Sequence, residues 1–319
     1  MIDASPPTDT FEILPGSDPA FGALVDRAAS ERAIWLWHLR RSGALLIRDY
    51  QIETIEQFAE LVAVLAAEQG LREYRGGASP RKVMLGGSRP IYNSTEYPPH
   101  VELPLHNELS YSADYPALIY FFCLVEPAEG GATTLADSRS ILRTMPREVR
   151  SLFERKGVRY IRNLPPGSGS GYSWADAFGC DDPREVEMRC AASGAEAQWL
   201  PGGYLRIVQD RPATAEHPVT GEEVWFNQAV GFHPSCLDDQ TYRELIELCG
   251  SEDRFRLNVQ FGDGEPIAPE MLRDVSDVLQ QETRSHCWRK GDVLVLDNLL
   301  TAHGRRSFRG ARRIATAMS

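Results

Sequence analysis

Apolar residues in the first seventy positions recur at helical spacing. Phe21, Leu24, Val25 and Ala28, followed by Ile34, Leu36 and Trp37, predict a helix over residues 19–39 with one apolar face. Ile55, Phe58, Leu61, Val62 and Leu65 predict a second helix over 53–68, closed by Gly70 as its C-cap. Between them ALLIRD, residues 44–49, reads as a short strand behind Gly43. Residues 70–104 are rich in Gly, Pro and Ser and keep no period, as expected of a binding loop or lid. The pattern then turns to short apolar runs broken by Gly, Pro and Asp. Strands are predicted at 117–125, 133–136, 158–163, 204–208, 224–226, 254–261, 286–288, 293–297 and 313–318. Helical spacing returns at 138–142, 147–156, 182–190, 239–248 and 269–281. A mainly β chain with flanking helices follows, an α+β fold whose core is a barrel or a two-sheet jelly roll. Residues 164–190 hold PPGSGSGYSWADAFG, a second candidate lid, while residues 1–16 read as a loose lead-in. No repeat or linker interrupts the chain, so a single domain over 1–319 is expected.

Composition narrows the function classes. Charged residues make up 25% and hydrophobic ones 42%, as in an ordinary globular protein. A net charge of −11 argues against nucleic acid or an anionic membrane as partner. No apolar run is long enough to span a bilayer, and MIDASPPTDTFEILPG lacks the basic and apolar regions of a signal peptide. The six cysteines are scattered without a CxxC pair, which disfavours a structural zinc site. A reducing, cytoplasmic setting is therefore expected.

Candidate chemistry lies in two stretches far apart. LPLHNELSY contains His106-Asn107-Glu108, and VLVLDNLLTAHGRR contains His303, followed by Arg312 and Arg313. Two imidazoles and one carboxylate on one face of iron(II) leave adjacent positions for a bidentate co-substrate and dioxygen. The short pattern has a decoy, His100-Val101-Glu102, and in a chain of this composition about one His-x-acid match arises by chance. Context favours His106 and Glu108, at the mouth of a strand region where i and i+2 share a face, over His100 in a Pro-flanked loop. An arginine turned into a barrel core needs an anion, and the far carboxylate of a dicarboxylate would serve. The sequence also allows Arg312 and Arg313 to be ordinary exposed charges. The HExxH helix signature of zinc hydrolases is absent.

LPLHNELSY, PALIYFFCLVEPAEGGATTLADSR and DNLLTAHGRRSFRGARRI together resemble the taurine dioxygenase (TauD/TfdA) family, in particular its SyrP-like branch. STEYPP at 94–99 and HPVTGEEVWFNQ at 217–228 fit the same branch, and the resemblance runs over most of residues 90–319. It implies a double-stranded β-helix core and an Fe(II)- and 2-oxoglutarate-dependent oxygenase that uses O2 as co-substrate. It places iron on His106, Glu108 and His303, and 2-oxoglutarate on Thr133 and Arg313, with Arg312 as the alternative. The family's taurine-binding Arg is replaced by Ala317, which disfavours a sulfonate substrate. Halogenating relatives carry a small residue where Glu108 stands, so oxygenation is the expected outcome. The branch implies an amino-acid substrate, free or tethered to a peptidyl carrier protein, hydroxylated with release of succinate and carbon dioxide. Desaturation or cyclisation are alternative outcomes, and a non-enzymatic jelly-roll binding protein with a degenerate metal site is the rival class. Asn93, Tyr111, Arg211 and Arg305 are candidate substrate contacts.

Overall fold

The structure is a computed structural model that describes residues 10–67, 69–75, 77–94, 97–167 and 172–319. The first nine residues, parts of STEYPP and four residues inside 164–190 lie outside the described residues.

Two sheets face each other as a jelly roll. The larger has seven strands in the order Phe11–Ile13, Ala44–Ile47, Val293–Asp297, Leu118–Val125, Arg313–Met318, Ile91–Asn93 and Val83–Leu85. The smaller runs Arg284–His286, Thr133–Asp137, Thr301–Arg305 and Leu103–His106. Strand Val293–Asp297 is buried along its whole length, which explains why VLVLD reads as continuously apolar rather than alternating. Its two faces have different partners. Val293 and Val295 join Tyr120, Phe122, Ala315 and Ala317 in a core covered by the two N-terminal helices. Leu294 and Leu296 join Ile119, Phe121, Ile314, Leu135 and Trp288 between the sheets.

The covering helices are Phe21–Ser42 and Ile55–Leu65, shifted by two or three residues from their sequence-predicted bounds. Thr54 and Gln57 form a reciprocal capping box at the start of the second helix, while its C-cap is Ala66 rather than Gly70. The first helix ends at Gly43, which adopts φ 75° and returns its N–H to the Leu39 carbonyl. A side chain there would also collide with the Thr301 hydroxyl, which donates to the Gly43 carbonyl at 2.8 Å. This glycine therefore ends the helix and seats it against the strand that carries His303.

A third sheet, Glu196–Leu200, Tyr204–Arg211, Val158–Leu164 and Leu257–Phe261, packs with helices Arg147–Lys156, Ala229–Phe232 and Pro269–Glu282 into a second core. Strands Glu196–Leu200 and Leu103–His106 and helix Trp174–Phe178 were not legible as elements. Each is short, and none carries a sustained period.

Candidate metal centre

The two histidines meet through strand pairing. His303 lies mid-strand in Thr301–Arg305, directly opposite His106 at the end of Leu103–His106, with ring centroids 4.4 Å apart. Ligand atoms of His106, Glu108 and His303 all lie within 4.8 Å of one another. His303 Nε2 is 3.9 Å from a Glu108 oxygen. The decoy separates from this centre: His100 is exposed in a loop, and Glu102 pairs with Arg306 at 2.9 Å on the surface.

Glu108 does not reach the centre by strand alternation, as the sequence suggested. The strand ends at His106, and Glu108 sits in a turn followed by Leu109 at φ 55°, a left-handed conformation uncommon for leucine. A polar cluster imposes this turn. The Asn298 side chain accepts from the Glu108 N–H at 2.7 Å and donates to the Glu108 carbonyl at 3.0 Å and the Pro116 carbonyl at 2.8 Å. Asn107 donates to the Asn298 carbonyl at 2.7 Å, and Gln228 donates to the Asn107 carbonyl at 2.7 Å. Asp297 caps the N–H groups of Leu299 and Leu300. His217 accepts the Thr220 N–H on Nδ1, which leaves its Nε2–H to donate to Asp297 at 3.0 Å. The HPVTGEE segment thus braces the Asp297–Asn298 corner from behind. These supporting residues were missed as functional; their one sequence signal is a polar pair closing an apolar strand. Asn298→Ala is expected to weaken metal binding by about 10–100-fold, read by titration with Mn(II) or Co(II). Unchanged affinity would reduce Asn298 to a fold residue.

The donor set fits iron(II). Metal ligation needs neutral imidazole. Burial holds His106 below the ordinary imidazole value, and burial, with His106 and Arg81 adding to it, pushes His303 well below. His106 Nδ1 faces the Pro104 carbonyl at 2.9 Å, which assigns that nitrogen the proton and leaves Nε2 free as a ligand. An intact carboxylate in the third place completes the two-His, one-carboxylate set.

Two cavities open from the triad. One is lined by His106, His303, Phe121, Thr133, Arg305 and Arg312. Within it Trp288 donates its indole N–H to the Thr133 hydroxyl at 2.9 Å, so that hydroxyl keeps its own hydrogen to donate onward. Arg312 bonds the Gly131 carbonyl through Nε, and burial, with Arg305 nearby, pushes its guanidinium down to about 10. A desolvated arginine here calls for an anion.

Arg313, the sequence choice for this role, is exposed and lines neither cavity. The pairing of Arg313–Met318 with Leu118–Val125 shifts register between Arg313 and Ile314. Ile314 faces the space between the sheets, and Arg312 shares its cavity, while Arg313 points to solvent. Of the two arginines the resemblance allows for the co-substrate, Arg312 rather than Arg313 is the one that lines this cavity. Counted four residues on from Arg312, the sulfonate-binding position moves from Ala317 to Thr316, which is also not an arginine.

The second cavity is lined by Tyr74, Ala78, Arg81, His106, Glu108, Tyr111, Gln228 and Phe232. Tyr111 belongs to it, but its hydroxyl already accepts the Ala78 N–H at 2.7 Å. Arg305 lines the first cavity with its donors turned to the carbonyls of Tyr97, Pro98 and Val101. Asn93 pairs with Ala315 and Arg211 with Val158 in their sheets, and neither residue lines a triad cavity. Of the four sequence-predicted substrate residues, the fold thus brings only Tyr111 to the side of the triad away from Thr133 and Arg312.

Comparison with known proteins agrees with this centre. The family model "Taurine catabolism dioxygenase TauD, TfdA family" matches residues 17–318. The chain is 34% identical over 280 residues to the dapdiamide synthesis protein DdaC of Enterobacter agglomerans, covering 88% of this chain and 83% of that one. The PvcB protein from Pseudomonas aeruginosa superposes with a TM-score of 0.54 at 17% identity, covering 98% of this chain and 86% of that one. An asparagine oxygenase, solved with Fe(II), 3-hydroxyasparagine and succinate, superposes with a TM-score of 0.52 at 12% identity over 93% of this chain and 82% of its own. These two structures share the fold. Among the described residues no helix is long and apolar enough to cross a membrane. With its jelly roll, its paired histidines and Glu108, the chain belongs to the TauD/TfdA family of Fe(II)- and 2-oxoglutarate-dependent dioxygenases.

Proposed function

We propose that this dioxygenase hydroxylates an unactivated C–H of an amino acid, or of an amino-acid-derived substrate free or carrier-bound, in the biosynthesis of a specialised metabolite. The observation that carries the reading is the pair of cavities on the triad, one lined by Thr133, Arg305 and Arg312 and one walled by aromatic rings. DdaC, named for dapdiamide synthesis, supports the biosynthetic setting. Iron(II), held by His106, Glu108 and His303, would supply dioxygen activation coupled to conversion of 2-oxoglutarate into succinate and carbon dioxide.

The protein's own part is placement and exclusion. Arg312 takes the far carboxylate of 2-oxoglutarate in a charge-assisted pair, with the Thr133 hydroxyl as second donor. Glu108 keeps the third protein position on the metal filled, which favours oxygen transfer over halide transfer. The described parts of residues 70–104 and 164–190 act as covers. Tyr74, Pro80 and Arg81 from the first and Tyr172, Asp176 and Ala177 from the second line one open cavity of about 440 Å³. Closing such a space keeps water from the reacting centre.

Two measurements test the reading. Anaerobic addition of Fe(II) and 2-oxoglutarate is expected to produce a visible metal-to-ligand charge-transfer band. Incubation in air with a panel of amino acids is then expected to raise succinate formation for at least one substrate, with a product heavier by one oxygen. A product lighter by two hydrogens would replace hydroxylation with desaturation or cyclisation. Absence of the band would leave a binding protein with a degenerate site.

A further inference from the structure

Arg81 has no role in the chemistry described so far, yet it is the most deeply placed cation of the substrate side. Its side chain is 3% exposed. One terminal nitrogen donates to Glu108 Oε2, and the guanidinium lies over the Tyr74 ring at 4.7 Å. Its Nε is buried with no partner among the described residues. Arg81 also lines both triad cavities and the space walled by Tyr74, Tyr172 and Asp176. A side chain with five donors in a planar fork is thus held by Glu108 and Tyr74, with its Nε unsatisfied in the wall of these cavities.

The charges in these cavities point the same way. Among the described residues, three guanidiniums, Arg81, Arg305 and Arg312, line these cavities with two carboxylates, Glu108 and Asp176. Two positive charges from the metal and two negative ones from 2-oxoglutarate cancel, so loading the centre leaves that surplus in place. Arg305 spends its donors on backbone carbonyls, and Arg312 belongs to the co-substrate. Asp176 caps its own helix, accepting the N–H and hydroxyl of Ser173. Once Glu108 shares its charge with the metal, Arg81 is the desolvated cation that lies directly against the triad and has only a shared counter-charge.

We propose that Arg81 binds a carboxylate of the primary substrate, between the metal triad and the Tyr74–Tyr172–Asp176 cavity, so that the enzyme takes its substrate as a free acid. This inference rests on the oxygenase reading and narrows it, since a substrate tethered through that carboxyl as a thioester has no anion to offer. Glu108 Oε2, which lies 3.9 Å from His303 Nε2, also accepts from Arg81 and so ties the guanidinium to the triad. Tyr74 supports the guanidinium from its ring face. Arg81 is then the residue that fixes which end of the substrate lies next to the centre.

The test uses the full chain loaded anaerobically with Fe(II) and 2-oxoglutarate. The probes are the twenty free proteinogenic amino acids and their methyl esters, and the readout is perturbation of the charge-transfer band. At least one free acid is expected to bind, and its ester to bind about tenfold or more weakly. Arg81→Met is expected to bring acid and ester within about twofold of each other by weakening the acid alone. Arg81→Lys, which keeps the charge but loses the fork, is expected to fall between, and it serves as the measurement should Arg81→Met fail to load metal. The inference is overturned if no free acid binds, if esters bind as well as acids, or if both Arg81 variants keep the wild-type acid-to-ester ratio. A wild type that shows no band at all overturns the oxygenase reading instead, so the two failures are distinguishable.

Discussion

Succinate formation from 2-oxoglutarate is expected to fall below detection in His106→Ala and in His303→Ala, a loss on the order of a thousandfold or more. Each imidazole supplies one of three protein donors, and the two sit opposite each other across one strand pair. Alanine cannot restore a donor, and the buried pocket offers no neighbouring side chain of the right kind among the described residues. The double variant is expected to be no worse than either single one, because a centre that needs three donors fails as a unit. His303 is 5% exposed, so thermal unfolding should be followed in parallel. A shift of a few degrees with lost turnover fits a ligand, whereas full turnover in either variant would remove that histidine from the centre. Glu108→Ala differs in kind. It strips the third donor and also removes the carboxylate that holds Arg81 in place, so loss of both metal and substrate binding is expected.

Arg312→Ala is expected to weaken 2-oxoglutarate by about 3 kcal/mol, roughly a hundredfold, while Arg313→Ala stays within about twofold. The contrast comes from geometry. Arg312 is desolvated beside Thr133 and shares a cavity with both histidines, whereas Arg313 is in water, where its charge is screened. Loss of the anion's partner from a buried site leaves a carboxylate without compensation, which is the costly case. Titration of the charge-transfer band with 2-oxoglutarate reads both variants directly. A large effect at Arg313 with none at Arg312 would reverse the assignment and require the last strand to turn over by one residue. Trp288→Phe is the milder companion: it removes the indole donor that orients Thr133, and about a threefold to tenfold weaker co-substrate is expected.

Much of the fold was legible. Helical periodicity around Leu24 and Ala28 and around Phe58 and Leu61 marks the two covering helices, because a helix packed on a sheet must keep one face apolar. Strand Val293–Asp297 was equally clear, since burial on both faces demands an unbroken apolar run. The short strand Leu103–His106 was hidden by Pro104 and its length, although it carries one ligand. The centre was legible as residue types in order, and His100-Val101-Glu102 shows how little the tripeptide pattern decides without the partners at Thr133 and His303.

By itself the chain sequence determined the chemistry available: two histidines and a glutamate in family order, a threonine beyond the Gly-Gly turn, and an arginine pair nine and ten residues past His303. Those are matters of composition and order, which the chain carries whatever its fold. The tertiary structure alone decided which arginine enters the cavity. A strand reverses the face of every side chain when its register slips by one, and the shift beside Ile314 is invisible in the sequence. It also decided how Glu108 is aimed, through Asn298 some 190 residues away. The same holds for Arg81, which Gly- and Pro-rich sequence left without a period and which folding buries against the centre. Contacts of that range depend on how sheets close on each other, and no local pattern encodes that closure.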